Sequence, residues 1–149
     1  LAGCSGNGGG NGNGNGNGNG NGGGSDPESR GDEFLSGGDA NLYEGNFADQ
    51  TGQDEVTISV GAGDNGFSFD PSAIRVDAGT TIVWEWTGRG GGHNVVSQDA
   101  SDFEFTNEGE QIIDEEGHTY EHTFEESGLA AYVCIPHQAQ GMYGAIVVE

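Results

Sequence analysis

The sequence has no lysine and only three arginines against 25 acidic residues, which gives a net charge of −22. This balance excludes nucleic-acid binding, because a nucleic-acid ligand needs cationic contacts to its phosphates. A surface this acidic suits concentrated salt, where charge repulsion is screened over short distances. The alternative is a protein that is merely acidic and well solvated. The complete lack of lysine favours the protein of a halophile, and that is our expectation.

Long apolar runs are also missing: no stretch of 18 apolar residues occurs, so the sequence predicts no transmembrane helix. Cysteine is scarce, with Cys4 and Cys134 the only two. They could pair, but Cys4 lies in a glycine-rich segment that cannot hold the geometry of a disulfide. We therefore expect no disulfide between them, and each thiol needs its own explanation.

Glycine is abundant but unevenly distributed, since residues 1–24 hold 13 of the 31 glycines. The Asn/Gly tract has no apolar side chain to bury and cannot offset its own ordering entropy. Residues 1–33 are therefore predicted to form a disordered tether. Residues 34–149 are predicted to form one domain, because 149 − 33 = 116 residues are enough for one hydrophobic core.

The first four residues, LAGC, are similar to a lipobox, in which a signal segment is removed and the following cysteine is lipidated. Leu1–Gly3 would then belong to the removed segment, and the hydrophobic part of the signal would lie upstream. Four small or apolar residues can also occur by chance. An Asn/Gly tract directly after a cysteine favours a tether. We therefore predict a lipid on Cys4 and a location at the extracytoplasmic face of the cell membrane.

Short strands are predicted through most of the domain. In DEVTISVGAG, Val56, Ile58 and Val60 alternate with polar residues. FSFDPSAIRVDAGTTIVWEW predicts two or three more strands, and HNVVS, FEFT, HTYEHTFE, AAYVC and GAIVVE predict one each. No helical period of any length is present, and residues 36–54 are weakly patterned, as strand plus a loop or a short helix. Seven or eight short strands with glycine turns predict an all-β, antiparallel sandwich.

Three side chains that bind soft metals share one short loop near the end of the sequence. Cys134, His137 and Met142 form a C-x2-H-x4-M pattern between two predicted strands, and His93 follows a glycine run at the start of another. Two imidazoles and a thiolate in a plane, with a weak axial thioether, form a blue-copper electron-transfer site. A lone cysteine is usually a small buried apolar residue, and a lone histidine is usually structural. The whole pattern instead predicts one type 1 copper ion per chain.

His118 and His122 are four residues apart and suggest a second metal site. Four residues of a strand span about 13 Å, which is too far for two ligands of one ion. His122 is therefore expected to point inward between Tyr120 and Phe124, and His118 to lie near the start of the strand. Both histidines are assigned structural or surface roles.

The domain resembles the cupredoxins, and among them the halocyanin family of small blue copper proteins from haloarchaea. The resemblance is carried by DEVTISVG, FDPSAIRVDAGTTIVWEWTGRGGGHNVVS, EEGHTYEHTF and YVCIPHQAQGMYGAIVVE, and it covers roughly residues 33–149. It implies a Greek-key sandwich of about eight strands and a type 1 copper site. It also implies that Asn94 hydrogen-bonds across to the ligand loop, around Ser97 or the neighbours of Cys134, and so holds two loops together. A simple turn residue is the alternative for Asn94.

Together with the predicted lipid on Cys4, the resemblance implies a one-electron Cu(II)/Cu(I) carrier between membrane respiratory components. The expected partners are a quinol-oxidising donor and a terminal-oxidase-type acceptor, and the protein is expected to be a monomer. His137 should lie nearest to solvent within an apolar collar that serves for docking, made of Ile135, Pro136, Ala139, Gly141 and Met142.

Two other classes of protein could use copper in such a domain. An extracytoplasmic copper-binding or delivery protein would use the same ligands, but it should expose a Met- or His-rich entry region, and only one methionine is present. A multicopper oxidase or a nitrite reductase needs further copper ligands and a longer chain. The protein is therefore predicted not to be an enzyme. Colour distinguishes the first alternative, because an oxidised type 1 site is intensely blue.

Overall fold

The computed structural model describes residues 26–149, so the predicted lipidation site Cys4 and the Asn/Gly tract lie outside the described residues. The chain divides into two units, Leu1–Arg30 and Gly31–Glu149. The strands of the described residues all lie in the second unit, arranged as one five-stranded and one four-stranded sheet. No helix within residues 26–149 is both long and apolar enough to cross a bilayer.

The all-β Greek-key sandwich predicted from the sequence is confirmed, and residues 26–149 form nine strands, two of which contain only two residues. The five-stranded sheet has the order β1-β4-β9-β8-β6 and the four-stranded sheet the order β3-β2-β5-β7. The strands are β1 (Ala48–Asp49), β2 (Glu55–Ala62), β3 (Ser68–Asp70), β4 (Ala73–Val76), β5 (Thr81–Trp86), β6 (Val96–Ser97), β7 (Thr119–Thr123), β8 (Gly128–Val133) and β9 (Tyr143–Val148).

The expectation of a purely antiparallel sandwich is wrong. Strand β2 pairs in parallel with β5, and β4 pairs in parallel with both β1 and β9. After the β2–β3 hairpin the chain crosses to the other sheet as β4 and then returns as β5 beside β2. This double crossing restores the original strand direction, so the returning strand pairs in parallel.

The predicted FEFT strand is also wrong. Within this stretch only Thr106 forms a bridge, to Val96. The backbone N–H of Phe105 donates instead to the Ser97 hydroxyl at 3.1 Å. A side-chain acceptor thus takes the place of a regular ladder, while the Phe105 ring is buried in the core.

A helix that the sequence patterns did not predict, α1 (Pro27–Gly37), precedes the strands. Its start has recognisable signals, since Ser29 N–H donates to the Asp26 carboxylate at 3.1 Å and proline occupies the first helical position. Gly31 and Leu35, four residues apart, are its buried residues. The predicted domain boundary between residues 33 and 34 falls inside this helix, and the boundary itself stays a prediction.

Two apolar clusters cover the two faces of the five-stranded sheet. On β8, Ala130 and Tyr132 belong to the cluster between the sheets, whereas Leu129 and Ala131 belong to a second cluster that includes Leu35 of α1. Neighbouring residues of a strand point to opposite faces. Every residue of β8 is therefore buried, and Cys134 follows directly after its last residue.

Candidate metal centre

The loop between β8 and β9 holds three of the predicted ligands at one end of the sandwich. Cys134 follows β8, Ile135–Gln140 forms 3-10 turns, and Gly141 reverses the chain with a φ of 89°. The Cys134 N–H donates to the Met142 carbonyl at 3.1 Å, and the Met142 N–H donates to the His137 carbonyl at 3.3 Å. The loop is therefore closed by its own backbone, which holds the three side chains near one another.

The fourth predicted ligand, His93, lies directly after the glycine run at residues 90–92. It is fully buried, and its backbone exchanges two hydrogen bonds with Ile113, at 2.8 and 2.9 Å. The indole N–H of Trp86 donates to the His93 carbonyl at 3.1 Å. The backbone of His93 is thus held by two separate elements before any metal binds.

The ligand atoms of His93, Cys134 and His137 form a compact triangle. The two Nδ1 atoms are 3.1 Å apart, and the Cys134 Sγ lies 3.6 Å from Nδ1 of His93 and 3.5 Å from Nδ1 of His137. A point equidistant from the three atoms lies about 2 Å from each, which is close to the length of a metal–imidazole bond. The three residues therefore fit one metal ion in their plane.

The protonation of the two imidazoles suits this arrangement. The Nε2 atom of His93 lies 2.6 Å from the Arg89 carbonyl, so Nε2 carries the proton and Nδ1 keeps its lone pair toward the triangle. Burial lowers the pKa of His93 and that of His137. Both rings are consequently neutral at neutral pH, as metal ligands must be.

The environment of Cys134 favours the uncharged thiol as long as no cation is bound. Burial raises its pKa, although backbone N–H groups of Asn94 and His137 directed at the sulfur oppose this effect. Cys134 is a free cysteine. A metal ion in the triangle would deprotonate the thiol, because a bound cation is the largest charge in such a site. This donor set, one thiolate and two neutral imidazoles, is the set that blue copper uses.

Asn94 makes the cross-loop contact that the resemblance implied. Its amide oxygen accepts a hydrogen bond from the Ile135 N–H at 2.9 Å, and its NH₂ group donates to the Glu110 carbonyl at 3.2 Å. Asn94 is itself buried beside His93. The residue therefore connects the His93 segment to the first residue after Cys134.

Met142 and His137 differ in exposure. Met142 is fully buried in the same core cluster as Cys134, and its role as axial ligand stays a prediction. His137 is partly exposed, whereas His93 and Cys134 are buried, so the expectation that His137 lies nearest to solvent is confirmed. The expected collar is only partly right: Gly141 and Met142 are buried, because the chain turns inward there to enter β9. The exposed members are Ile135, Pro136 and Ala139.

Two contacts of the site were not anticipated. The ring of Phe67 stacks on His137, with centroids 4.5 Å apart and an angle of 21° between the planes. The carbonyl of Arg89 fixes the tautomer of His93. Neither contact could be predicted from the local sequence. A lone phenylalanine after a turn is usually a core residue, and a backbone carbonyl is present at every position whatever the side chain.

The other two histidines each lie against aromatic rings, and their structural or surface roles stay a prediction. His122 packs on the rings of Phe124 and Phe105, with centroids 4.6 and 5.6 Å away. His118 meets the edge of Trp86 and lies 3.6 Å from a carboxylate oxygen of Glu108. Within residues 26–149, the metal-binding cluster is that of His93, Cys134 and His137, and neither of these other histidines belongs to it.

Comparison with known proteins agrees with this chemistry. The family model of copper binding proteins, plastocyanin/azurin family, matches residues 56–149. This chain belongs to that family. Its sequence is 62% identical over 123 residues to the halocyanin of Natronomonas pharaonis. The alignment covers 83% of this chain and 74% of that protein. The resemblance to the halocyanins is thereby confirmed, and so is the predicted copper cofactor.

Solved structures show the same fold. The plastocyanin of Dryopteris crassirhizoma is 22% identical with a TM-score of 0.51, over 63% of this chain and 100% of that one. A copper-containing nitrite reductase from Thermus scotoductus is 25% identical with a TM-score of 0.52. The match covers 64% of this cupredoxin but only 22% of the reductase. The family match and the halocyanin relative show that the chain is a blue copper domain of the electron-transfer type, and its triangle is consistent with one type 1 copper ion.

Proposed function

We propose that this cupredoxin is a monomeric one-electron carrier between membrane respiratory components, taking electrons from a quinol-oxidising donor and passing them to a terminal-oxidase-type acceptor. The observation that carries the proposal is the exposure of the triangle through one residue: His93 and Cys134 are buried and His137 alone reaches the surface. Bound copper would supply the Cu(II)/Cu(I) couple.

The protein's own residues keep the site rigid. The backbone of His93 is bonded to Ile113 and Trp86, and Asn94 bonds the ligand loop. Groups held this firmly rearrange little when the charge of the site changes, which favours fast transfer of an electron. The stack of Phe67 on His137 fixes the orientation of the one exposed ring.

The surface beside His137 suits a short-lived contact. Residues 127–148 contain no acidic residue, although the chain carries 25. Ile135 is 46% exposed there, and Ile112, beside the bridge from Ile113 to His93, is 61% exposed. A small apolar area within an anionic surface is typical of a docking site, and a small interface dissociates quickly.

The protein is proposed to act as a carrier and not as an enzyme. The likeness to the nitrite reductase involves 22% of that chain. The metal cluster within residues 26–149 contains three ligand residues, and all three are needed for one ion. A carrier needs no substrate pocket and no proton-transfer group beside them.

Reoxidation by isolated membranes tests the proposed function. The reduced protein should be reoxidised by membranes that contain terminal oxidases, and Ile135→Asp should slow this reaction by about tenfold, since a charge at an apolar contact costs roughly 1.4 kcal/mol or more. The spectrum of the variant should be unchanged. Ala78→Asp is the matched control, because Ala78 is exposed and bonds to Glu149 at the far end of β9. Equal rates for both variants would exclude the Ile135 face as the docking site.

The predicted lipid on Cys4 would keep the carrier near its partners. Attachment through Cys4 would raise the local concentration of a weak binder at the membrane. One acyl chain anchors only marginally, so stable attachment needs a lipid with two chains. We expect Cys4→Ser, expressed with its native signal, to move from the membrane fraction to the medium with an unchanged copper band. A variant that still sediments with membranes would point to a different anchor.

A further inference from the structure

A residue far from the ligands in sequence is bonded directly to the ligand loop. The Asn41 N–H donates to the Gly141 carbonyl at 2.9 Å. The NH₂ group of Asn41 donates to the Gln140 carbonyl at 2.7 Å and to the Phe67 carbonyl at 3.0 Å. Asn41 lies before residue 56, where the match to the copper-binding family begins.

These three bonds connect the parts of the site that set the position of His137. Gln140 and Gly141 are the two residues that lead from the His137 turn into Met142. Phe67 carries the ring that stacks on His137. One side chain therefore joins the ligand loop to the Phe67 loop, and only an amide supplies two N–H donors on so short a side chain.

The backbone around Asn41 is held in an uncommon conformation. Asp39 and Leu42 have φ values of 51° and 68°, in the left-handed region that residues other than glycine rarely adopt. Gly141 faces this segment at close range, since a Cβ at Gly141 would lie 2.7 Å from the Asp39 carbonyl oxygen. Backbone strain of this kind persists where the surrounding structure holds it in place, and it concentrates at functional sites.

We infer that Asn41 is a positioning residue for the metal centre. Its amide clamps the ligand loop against the Phe67 loop and so fixes the exposed ring of His137 and the entry of Met142. The inference rests on the proposed copper function and extends it, because it makes the segment before the family domain part of the electron-transfer site. Without the amide, the half-buried carbonyl of Phe67 and the exposed carbonyl of Gln140 lose their donor, and the two loops are no longer joined by this side chain.

The test compares Asn41→Ala, Asn41→Asp and Asn41→Ser in the full chain. The Asp variant keeps the size of the side chain but replaces both donors with acceptors, and the Ser variant keeps one donor. The matched control is Asn65→Ala, an exposed asparagine in the turn just before Phe67. Four properties are measured: copper affinity, the absorption and EPR spectra, the midpoint potential, and amide hydrogen exchange of the loop in the metal-free protein.

We expect the Ala and Asp variants to bind copper roughly 10- to 100-fold more weakly, as changes behind a metal ligand do. Their spectra and potentials should move away from the wild-type values, the Ser variant should lie between, and the Gly141 and Met142 amides should exchange faster. Asn65→Ala should match the wild type throughout. If the Asn41 variants melt at a lower temperature but keep the control's affinity, spectrum, potential and exchange rates, Asn41 only supports the fold and the inference is overturned.

Failure of the proposed function has a different signature. A wild-type protein without a blue band would refute the copper function. Hydrogen exchange in the metal-free variants would still report whether Asn41 holds the loop. Unchanged exchange in Asn41→Ala and Asn41→Asp would overturn the clamp in either case.

Discussion

Replacement of Cys134 by serine should abolish the blue colour of the copper-loaded protein completely. The colour of a type 1 site comes from charge transfer between the cysteine thiolate and Cu(II), and a serine hydroxyl cannot supply it. Sγ of Cys134 is one corner of the ligand triangle, within 3.6 Å of both imidazole Nδ1 atoms. Copper affinity should fall by more than about 100-fold, since changes behind a ligand alone cost ~10–100-fold. Absorption and EPR spectroscopy measure both effects.

The fold should survive this substitution. Cys134 is fully buried, and the backbone N–H groups of Asn94 and His137 that face its sulfur can donate to a serine hydroxyl instead. The expected loss in the free energy of unfolding is about 1–3 kcal/mol, the cost of an imperfectly satisfied buried hydroxyl. Far-UV circular dichroism should therefore match that of the wild type.

The second cysteine provides the matched control, because Cys4→Ser makes the same chemical change at a residue that is not among the predicted ligands, and it should leave the band intact. A Cys134→Ser variant that remains blue would remove Cys134 from the ligand set. A wild-type protein that binds copper without the blue band would instead favour the copper-delivery alternative.

Salt should stabilise the folded protein strongly. All 25 acidic residues lie within residues 26–149, and every one of them is exposed. Two carboxylates 10 Å apart repel each other by roughly 0.4 kcal/mol in water, and many such pairs add up on one small domain. The screening length falls from about 10 Å at 0.1 M salt to about 3 Å at 1 M. We expect the melting temperature to rise by more than about 10 °C between 0.1 and 3 M KCl, because each kcal/mol shifts it by several degrees.

Removal of charge should mimic the addition of salt. Two pairs of adjacent exposed glutamates, Glu115 with Glu116 and Glu125 with Glu126, can be changed together to glutamine. The net charge then changes from −22 to −22 + 4 = −18. The fourfold variant should melt at a higher temperature in low salt and respond less to KCl. A flat salt response in the wild type would contradict the prediction that the protein is halophilic.

Much of the site could be predicted because its parts are close in sequence. Cys134, His137 and Met142 lie within one loop between two apolar strands, and soft sulfur ligands next to an imidazole suit copper. The second imidazole lies 41 residues before the cysteine. Its position after a glycine run was a usable signal, although only the pairing of His93 with Ile113 shows how it reaches the loop.

The alternation of apolar and polar residues and the composition by themselves determined that this chain forms a β-sandwich with an acidic surface and a loop of soft metal ligands. These properties depend on residue type and on neighbours a few positions away. Only the tertiary structure decided that β2 and β5 run parallel, that Phe67 stacks on His137 and that Asn41 bonds to Gln140, 99 residues later. These contacts join segments that have no periodic relation in sequence. They form because the two packed sheets bring the segments to one end of the sandwich, where unpaired carbonyls must find donors.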